Sequence, residues 1–136
     1  MENAFVEKAR ENHEKGYNCA QSVACAFLPV LSIDESTLFS VMEGFGGGMG
    51  GNEATCGALS GAVAVASLLT SSGKVENLTK AKTYELAKQM VELFEQRTQS
   101  LVCKELKGTE SGVALRSCPL CIEDAVLIAQ QVLHIE

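Results

Sequence analysis

The stretch that decides the fold is CGALSGAVAVASLLTSSG, residues 56–73. It carries no charged side chain, but its many Gly, Ala and Ser residues favour a tightly packed core helix over a membrane span, which needs about 20 predominantly apolar residues. Gly57 and Gly61 lie four positions apart, so a neighbouring backbone can approach this helix closely. The stretch therefore predicts a helix of small residues at the centre of the fold.

Amphipathic helices are predicted on the amino-terminal side of this stretch. The first runs from about residue 2 to residue 15 and ends at Gly16. Asn18 and Gln21 form a capping box at the start of the second helix, which Pro29 is expected to bend or end. Ser32 and Glu35 form a further capping box before a short third helix.

Helices are also predicted on the carboxyl-terminal side. A long amphipathic helix begins after Asn77, continues to about Leu106 and stops at Gly108. The last helix runs from Cys118 to about His134. No alternating strand pattern and no repeat is visible. The predicted fold class is all-α, a compact bundle of about five to six helices in one domain, residues 1–136, with a Gly-rich loop near the centre of the chain.

The charge of the chain narrows the classes of partner. Its 17 acidic and 11 basic residues give a net charge of −6 and a pI of about 5.0, without a basic stripe. This balance argues against binding to nucleic acid or to an anionic membrane surface. The charged amino terminus is unlike a secretory signal. A cytoplasmic location is expected, where cysteines rest reduced unless catalysis or a metal holds them otherwise.

Six cysteines are the main chemical feature of the sequence. Cys19, Cys56 and Cys118 are each predicted in the first turn of a helix, where the dipole and the free N–H groups favour a thiolate. The thiolate is both the nucleophile and the metal ligand. Cys103 is predicted in the last turns of the long helix, where the dipole opposes a thiolate, so it suits a partner or resolving role. Cys25 is interpreted as a core thiol.

Cys118 and Cys121 form a CxxC sequence at a predicted helix start. Two sulfurs at this spacing share a face of the helix, so they can bridge as in thiol–disulfide exchange proteins or share a metal. The strand that precedes this motif in thioredoxin-like proteins is absent, and a zinc ribbon needs a second CxxC. The alternative is two incidental cysteines on a packed helix.

The segment GFGGGMGG, residues 44–51, is predicted to lack regular structure. It satisfies GxGxxG, but no strand precedes it and no acidic residue closes a βαβ unit, which argues against a dinucleotide site. A backbone that passes close to a sulfur cluster, a disulfide or a substrate is the preferred interpretation. The glycines expected to border this site are Gly46, Gly47, Gly48, Gly50 and Gly57.

Three other polar residues could contribute to such a site. Glu53 is a candidate proton acceptor for the nearby Cys56 thiol, with a capping or solvated role as the alternative. His13 and His134 lack the spacing of metal ligands and are expected at the surface.

Taken together, these motifs resemble one family. YNCAQSV near the start, GFGGGMGG followed by CGALSG, and the later segments around Cys103 and Cys118 are similar to the C_GCAxxG_C_C family of redox-active proteins. The resemblance covers roughly residues 4–133. It implies that the four cysteines of the family pattern are Cys19, Cys56, Cys103 and Cys118, with Cys25 and Cys121 as additions.

The resemblance implies redox activity without an established reaction. Genes of the family are often found beside transporter genes, and a similar domain occurs in a multihaem cytochrome for which an iron–sulfur centre has been proposed. This chain contains no CxxCH, which excludes covalent haem attachment.

Three hypotheses remain open at this point. In the first, the four family cysteines perform thiol–disulfide or electron-transfer chemistry with an unknown redox partner, so that the chain is a thiol-based oxidoreductase. In the second, the same thiolates, Cys19, Cys56, Cys103 and Cys118, bind an iron–sulfur cluster or a zinc ion. In the third, the chain is a non-catalytic interaction protein, a homodimer or a transporter accessory, with cysteines that act as buried apolar residues.

Overall fold

The computed structural model of the chain describes residues 3–136. Within this range the chain forms seven α-helices and no β-strand, which confirms the predicted all-α class. The helices are α1 (Ala4–Glu14), α2 (Cys19–Ala26), α3 (Glu35–Met42), α4 (Gly57–Thr70), α5 (Lys80–Thr98), α6 (Cys103–Lys107) and α7 (Cys118–Leu133). The predicted number of five to six helices was too low. The predicted first helical residue, Glu2, lies outside the described residues.

Helices α2 and α4 cross at the centre of the molecule and share the most extensive contact of any pair of described helices. Their close approach depends on glycine. A Cβ atom on Gly61 would lie 2.7 Å from the Ala20 carbonyl oxygen, and one on Gly57 would lie 3.2 Å from the Ala20 nitrogen. The predicted approach of a backbone to these two glycines is confirmed, and the approaching backbone belongs to α2.

Helix α7 completes the core by packing against α1, α4 and α5. The largest fully buried side chains include Phe27 just after α2, Leu59 on α4, Phe94 on α5 and Ile128 on α7. Burial of one such side chain stabilises a fold by roughly 1.5–3 kcal/mol, so the core joins these four elements firmly. Between residues 3 and 136, every helix is too short or too polar to cross a membrane.

The long helix predicted to reach Leu106 ends earlier. Helix α5 stops at Thr98, and Gln99 takes a left-handed conformation with a φ of 75°. The Thr98 hydroxyl lies 2.7 Å from the carbonyl oxygen of Ser100, inside the break. A separate helix, α6, then begins at Cys103. The prediction of one long helix was wrong because no Gly or Pro marks the break. Because of the break, Cys103 begins a helix and does not lie near the end of one.

The predicted helix starts are confirmed at α2 and shifted at α3. The backbone N–H of Gln21 donates to Asn18 Oδ1, and that of Asn18 donates to the Gln21 side chain, each at 2.9 Å. Helix α3 is capped by Asp34 and not by Ser32, because the Asp34 carboxylate accepts the Thr37 N–H at 3.0 Å. An acidic side chain at this position also interacts favourably with the helix dipole.

The glycine-rich segment is more ordered than the predicted loop. Residues Glu43–Phe45 form a 3-10 turn, and Gly48–Asn52 form a compact turn in which Met49 and Gly50 have non-helical backbone angles. Several consecutive residues here have positive φ values, including Gly47, Gly48 and Met49. Such a run is costly for residues that carry a Cβ atom, which explains why the segment is rich in glycine. The segment contacts both α2 and α6.

Candidate functional site

One small cavity is lined by five cysteines, namely Cys19, Cys56, Cys103, Cys118 and Cys121. Its volume of about 10 Å³ leaves room for no more than one water molecule. The five cysteines therefore border a space that is nearly filled by protein atoms. Cys25 lies apart in the core, where burial raises the pKa of its thiol to about 11, as expected for a core thiol.

Cys19 is the first residue of α2 and follows directly on the Asn18 cap. The Asn18 side chain also donates from Nδ2 to the Glu43 carbonyl oxygen at 2.9 Å, which ties the glycine-rich segment to the start of α2. A Cβ atom on Gly46 would overlap the Asn18 side chain. Glycine is thus required where the segment passes next to Cys19.

Cys56 and Cys103 are brought together by a short antiparallel pairing. The Cys56 N–H donates to the Leu101 carbonyl at 2.7 Å, and the Cys103 N–H donates to the Ala54 carbonyl at 2.9 Å. Cys56 consequently occupies the N-cap position of α4, and Cys103 the first position of α6. Both side chains are buried.

The Cys103 thiol faces the glycine-rich segment. It donates to Asn52 Oδ1 at a sulfur–oxygen distance of 3.6 Å, and Lys107 Nζ donates to the same oxygen at 3.1 Å. Burial raises the pKa of the Cys103 thiol, and the charge of Lys107 offsets part of this effect. Cys103 is therefore a thiol at neutral pH and forms no pair with another cysteine in this arrangement.

Cys118 and Cys121 lie at the start of α7 and face the cavity together. The Ser117 side chain caps this helix by accepting the Leu120 N–H at 3.4 Å. The Cys121 thiol contacts the Arg116 carbonyl oxygen at 3.8 Å. Each of the two CxxC cysteines affects the pKa of a cysteine at the start of a different helix, Cys118 that of Cys19 and Cys121 that of Cys56.

The first pair is Cys118 with Cys19, called the outer pair here because both side chains are only partly buried. A hydrogen bond from the Cys19 thiol lowers the pKa of Cys118 from 9.0 to about 6, and the nearby charges of Lys107 and His13 lower it further against the effect of burial. The same hydrogen bond, together with burial, raises the pKa of Cys19. The outer pair thus combines a thiolate, Cys118, with a thiol, Cys19.

The second pair is Cys56 with Cys121, called the inner pair because the two residues are only 6% and 1% exposed. A hydrogen bond from Cys121 lowers the pKa of Cys56, and the N–H groups of Ala58 and Leu59 at the start of α4 lower it further against the effect of burial. The hydrogen bond to Cys56 and burial raise the pKa of Cys121. Cys56 is therefore the thiol of the inner pair that ionises first.

The structure brings together all four cysteines of the family pattern and adds Cys121, which the sequence interpretation had set aside. Cys121 follows Cys118 by one helical turn, so the spacing alone could have placed it at the same cavity. Its partner Cys56 could not be inferred from spacing, because the two residues meet only through the packing of α4 on α7.

Four of the five predicted glycines border the site. Gly47 and Gly57 line the cavity, Gly46 passes next to Asn18, and a Cβ atom on Gly48 would lie 2.5 Å from Cys103 Cβ. Gly50 does not line the cavity, and a Cβ atom there would meet no atom within 4 Å apart from its chain neighbours. The glycines therefore serve close packing around the sulfurs.

Of the three other polar residues, two lie at the surface and one lies near the cysteines. Glu53, the candidate proton acceptor, is 72% exposed and pairs with Lys104 Nζ at 3.1 Å, which favours the alternative of a solvated role. His134 is exposed at the end of α7. His13 is partly buried and lies close enough to Cys118 to affect its pKa, so it belongs to the surroundings of the outer pair.

The arrangement of the sulfurs does not fit a shared metal. In the described part of the chain, no three Cys, His, Asp or Glu side chains converge on a point from which they could bind a metal ion. A tetrahedral zinc site or an iron–sulfur cluster needs several thiolates directed at one centre. The strongest interactions of these thiols are instead pairwise, Cys118 with Cys19 and Cys56 with Cys121.

Comparison with known proteins places the chain in a family. The family described as "Putative redox-active protein (C_GCAxxG_C_C)" matches residues 17–132, nearly the whole chain. The chain belongs to the C_GCAxxG_C_C family. The match includes all five cavity cysteines, so the site lies within the family domain. No curated protein and no solved structure is similar enough to the chain to count as a match.

Proposed function

We propose that this member of the C_GCAxxG_C_C family is a thiol–disulfide oxidoreductase whose reacting groups are Cys118 and Cys19. The observation that carries the proposal is that Cys118 and Cys19, both partly exposed and each at the start of a helix, line the same small cavity. There Cys19 lowers the pKa of the Cys118 thiol. With a pKa of about 6, roughly nine-tenths of Cys118 is thiolate at pH 7. The thiolate is the nucleophile in disulfide exchange.

The reaction has two steps that conserve atoms and electrons. The Cys118 thiolate attacks one sulfur of a substrate disulfide, so that a mixed disulfide forms and the other substrate sulfur leaves as a thiolate. Cys19 then loses its proton to solvent or to that departing thiolate, and its sulfur attacks Cys118. The Cys19–Cys118 disulfide forms, and the second substrate sulfur departs. The substrate disulfide is reduced by two electrons, and the outer pair is oxidised by two.

The cycle closes when a dithiol or two monothiols reduce the Cys19–Cys118 disulfide by the reverse exchange. The direction in the cell depends on the potential of the outer pair against that of the compartment. A cytoplasmic location, as the sequence predicts, keeps the outer pair reduced between turnovers. In that setting the chain acts as a reductant of its substrate.

Trapping of the mixed disulfide tests the proposal. The reduced full-length chain is mixed with oxidised glutathione, quenched with acid and analysed by mass spectrometry. Cys19→Ala should accumulate a glutathione adduct on Cys118, because the resolving thiol is absent, whereas wild type should carry little adduct and show the Cys19–Cys118 disulfide. Cys25→Ala, which removes a buried thiol outside the cavity, should behave as wild type.

Two outcomes would contradict the proposal. The first is a Cys118 thiol that reacts with glutathione disulfide no faster than Cys25. The second is stoichiometric iron or zinc in protein purified without air, bound by Cys19, Cys56, Cys103 and Cys118 and lost when one of them is replaced. That result would favour the metal-binding hypothesis and would mean that the paired arrangement is not the functional one.

A further inference from the structure

We propose that Cys56 and Cys121 form a second redox-active dithiol that receives its disulfide from the outer pair by internal exchange. This inference deepens the proposed function and rests on it. Cys121 is one of the two cysteines that the resemblance leaves outside the family pattern, so the family pattern by itself does not imply the inner pair. The site would then hold two disulfides per chain instead of one.

The geometry of the α2–α4 crossing supports exchange between the pairs. Cys19 and Cys56 immediately precede Ala20 and Gly57, and a Cβ atom on Gly57 would lie only 3.2 Å from the Ala20 nitrogen. The two helices therefore begin side by side, with their first sulfurs directed into the same cavity. Thiol–disulfide exchange requires such direct access of one sulfur to another.

Burial explains why the inner pair would need the outer pair. Cys56 and Cys121 are almost fully enclosed, whereas Cys19 and Cys118 are partly exposed. A substrate disulfide reaches the outer sulfurs first, and a cavity of about 10 Å³ does not admit a second substrate molecule. The inner thiols are accessible to another sulfur only through the protein's own cysteines.

The exchange balances without an added reagent. The Cys56 thiolate attacks the Cys19 sulfur of the Cys19–Cys118 disulfide, and Cys118 leaves as the thiolate. Cys121 then loses its proton and attacks Cys56 of the mixed disulfide, and Cys19 leaves and takes up a proton. One disulfide bond is broken and one is formed, so two electrons pass from the inner pair to the outer pair. The outer pair is thereby reduced and ready for a second substrate disulfide.

The position of Cys118, the leaving group, favours attack of Cys56 on Cys19. Cys118 is the better leaving sulfur of the outer disulfide, because it lies at the start of α7 beside Lys107, where its thiolate is stabilised. Attack on Cys19 releases that sulfur. Cys103 takes no part in this exchange, since its thiol is held by Asn52.

The test is to count and map disulfides in the full-length chain. Reduced protein is equilibrated in glutathione buffers of increasing potential, quenched with acid, alkylated and cleaved after Lys, Arg and Glu. This cleavage places Cys19 and Cys56 in different peptides. In the wild type, four of the six thiols should be oxidised to disulfides. The peptide that contains Cys118 and Cys121 should be linked both to the peptide with Cys19 and to the peptide with Cys56. Cys121→Ala should keep the link to Cys19 and lose the link to Cys56. Cys25→Ala, a matched replacement of a buried cysteine, should give the wild-type map.

The relay itself is tested by kinetics. In Cys19→Ala, the Cys56–Cys121 disulfide should form at least about tenfold more slowly than in wild type, because its route through the outer pair is lost. Equal rates of Cys56–Cys121 disulfide formation in the variant and the wild type would contradict the exchange step. A wild-type map with Cys19–Cys118 alone, and with Cys56 and Cys121 as free as Cys25, would overturn the inference and leave the proposed function intact. Failure of the Cys19–Cys118 disulfide to form would overturn both.

Discussion

A Cβ atom on Gly48 would lie 2.5 Å from the Cβ of Cys103, closer than two side chains can approach. Gly48 also has a φ of 58°. The glycine-rich segment therefore supports the cavity by packing its backbone directly on one of the five cysteines. This contact explains why a segment remote from Cys103 in the sequence contributes to the same site.

Gly48→Ala should destabilise the chain because Cys103 or the segment must move. We expect a loss of roughly 1–3 kcal/mol, the usual cost of overpacking a buried position, measured as a lower midpoint in urea unfolding. Gly47→Ala is the matched control, since Gly47 has nearly the same φ of 60° but its nearest neighbour would lie 3.9 Å away. An equal effect in both variants would show that left-handed strain alone matters here.

The alkylation of Cys118 should depend on pH with a midpoint near 6, because its pKa is about 6 and only the thiolate reacts. The rate should rise as pH increases through this value and level off above it. In Cys19→Ala the midpoint should move to higher pH, since the hydrogen bond from Cys19 is the largest cause of the lowered pKa. Rates of iodoacetamide labelling on the Cys118 peptide measure both curves, and an unchanged midpoint would contradict the assignment.

Lys107→Gln should raise the Cys118 pKa slightly, because the lysine charge favours the thiolate. We expect a shift of a few tenths of a unit, as Lys107 is exposed and its field is screened by water. Lys104→Gln is the control, since Lys104 pairs with Glu53 at 3.1 Å and Glu110 at 3.4 Å instead. The labelling midpoint of Cys118 measures the effect, which should decrease in 1 M salt. A larger shift in the Lys104 variant would contradict this account.

The sequence predicted the parts of the fold that have local causes. Asn18 with Gln21 signals a helix start by its own hydrogen bonds, and Gly57 with Gly61 signals a close crossing by the absence of side chains. The break after Thr98 has no such signal, because its stabilising contacts include a backbone pairing between residues that are distant in sequence. This break also changed the position of Cys103 from a helix end to a helix start.

The site was predictable as a group of residues but not as a set of pairs. Helix-start positions pointed to Cys19 and Cys118, and both lie at the cavity. The choice of partner depends on how α2 and α4 meet α7, which is decided by tertiary packing. Cys121 was missed for this reason, since its role depends on Cys56 and not on its neighbour in the CxxC sequence.

We predict that Asp124 fixes the position of Cys121 through Arg116. Its carboxylate is buried on α7, at 3% exposure, and accepts hydrogen bonds from Arg116 Nε at 2.9 Å and from Arg97 at 3.2 Å. Arg116 in turn presents its carbonyl oxygen to the Cys121 thiol. Asp124→Ala should destabilise the chain by about 1.5–3 kcal/mol in urea unfolding, because the hydrogen bonds of both arginines to a buried carboxylate are lost, while the arginine side chains, 42% and 35% exposed, regain water.

The control for this prediction is Glu123→Ala, which removes a neighbouring acidic residue that is 40% exposed and whose ion pair with Arg10 is longer, at 3.7 Å. An exposed pair of this kind contributes about 0–1 kcal/mol, so this variant should unfold nearly as wild type does. Asp124→Ala should also speed the alkylation of Cys121 in folded protein, since the turn between Arg116 and Cys121 loses its anchor. Loss of stability with unchanged Cys121 labelling would mean that Asp124 stabilises the packing of α5 on α7 without positioning the inner pair.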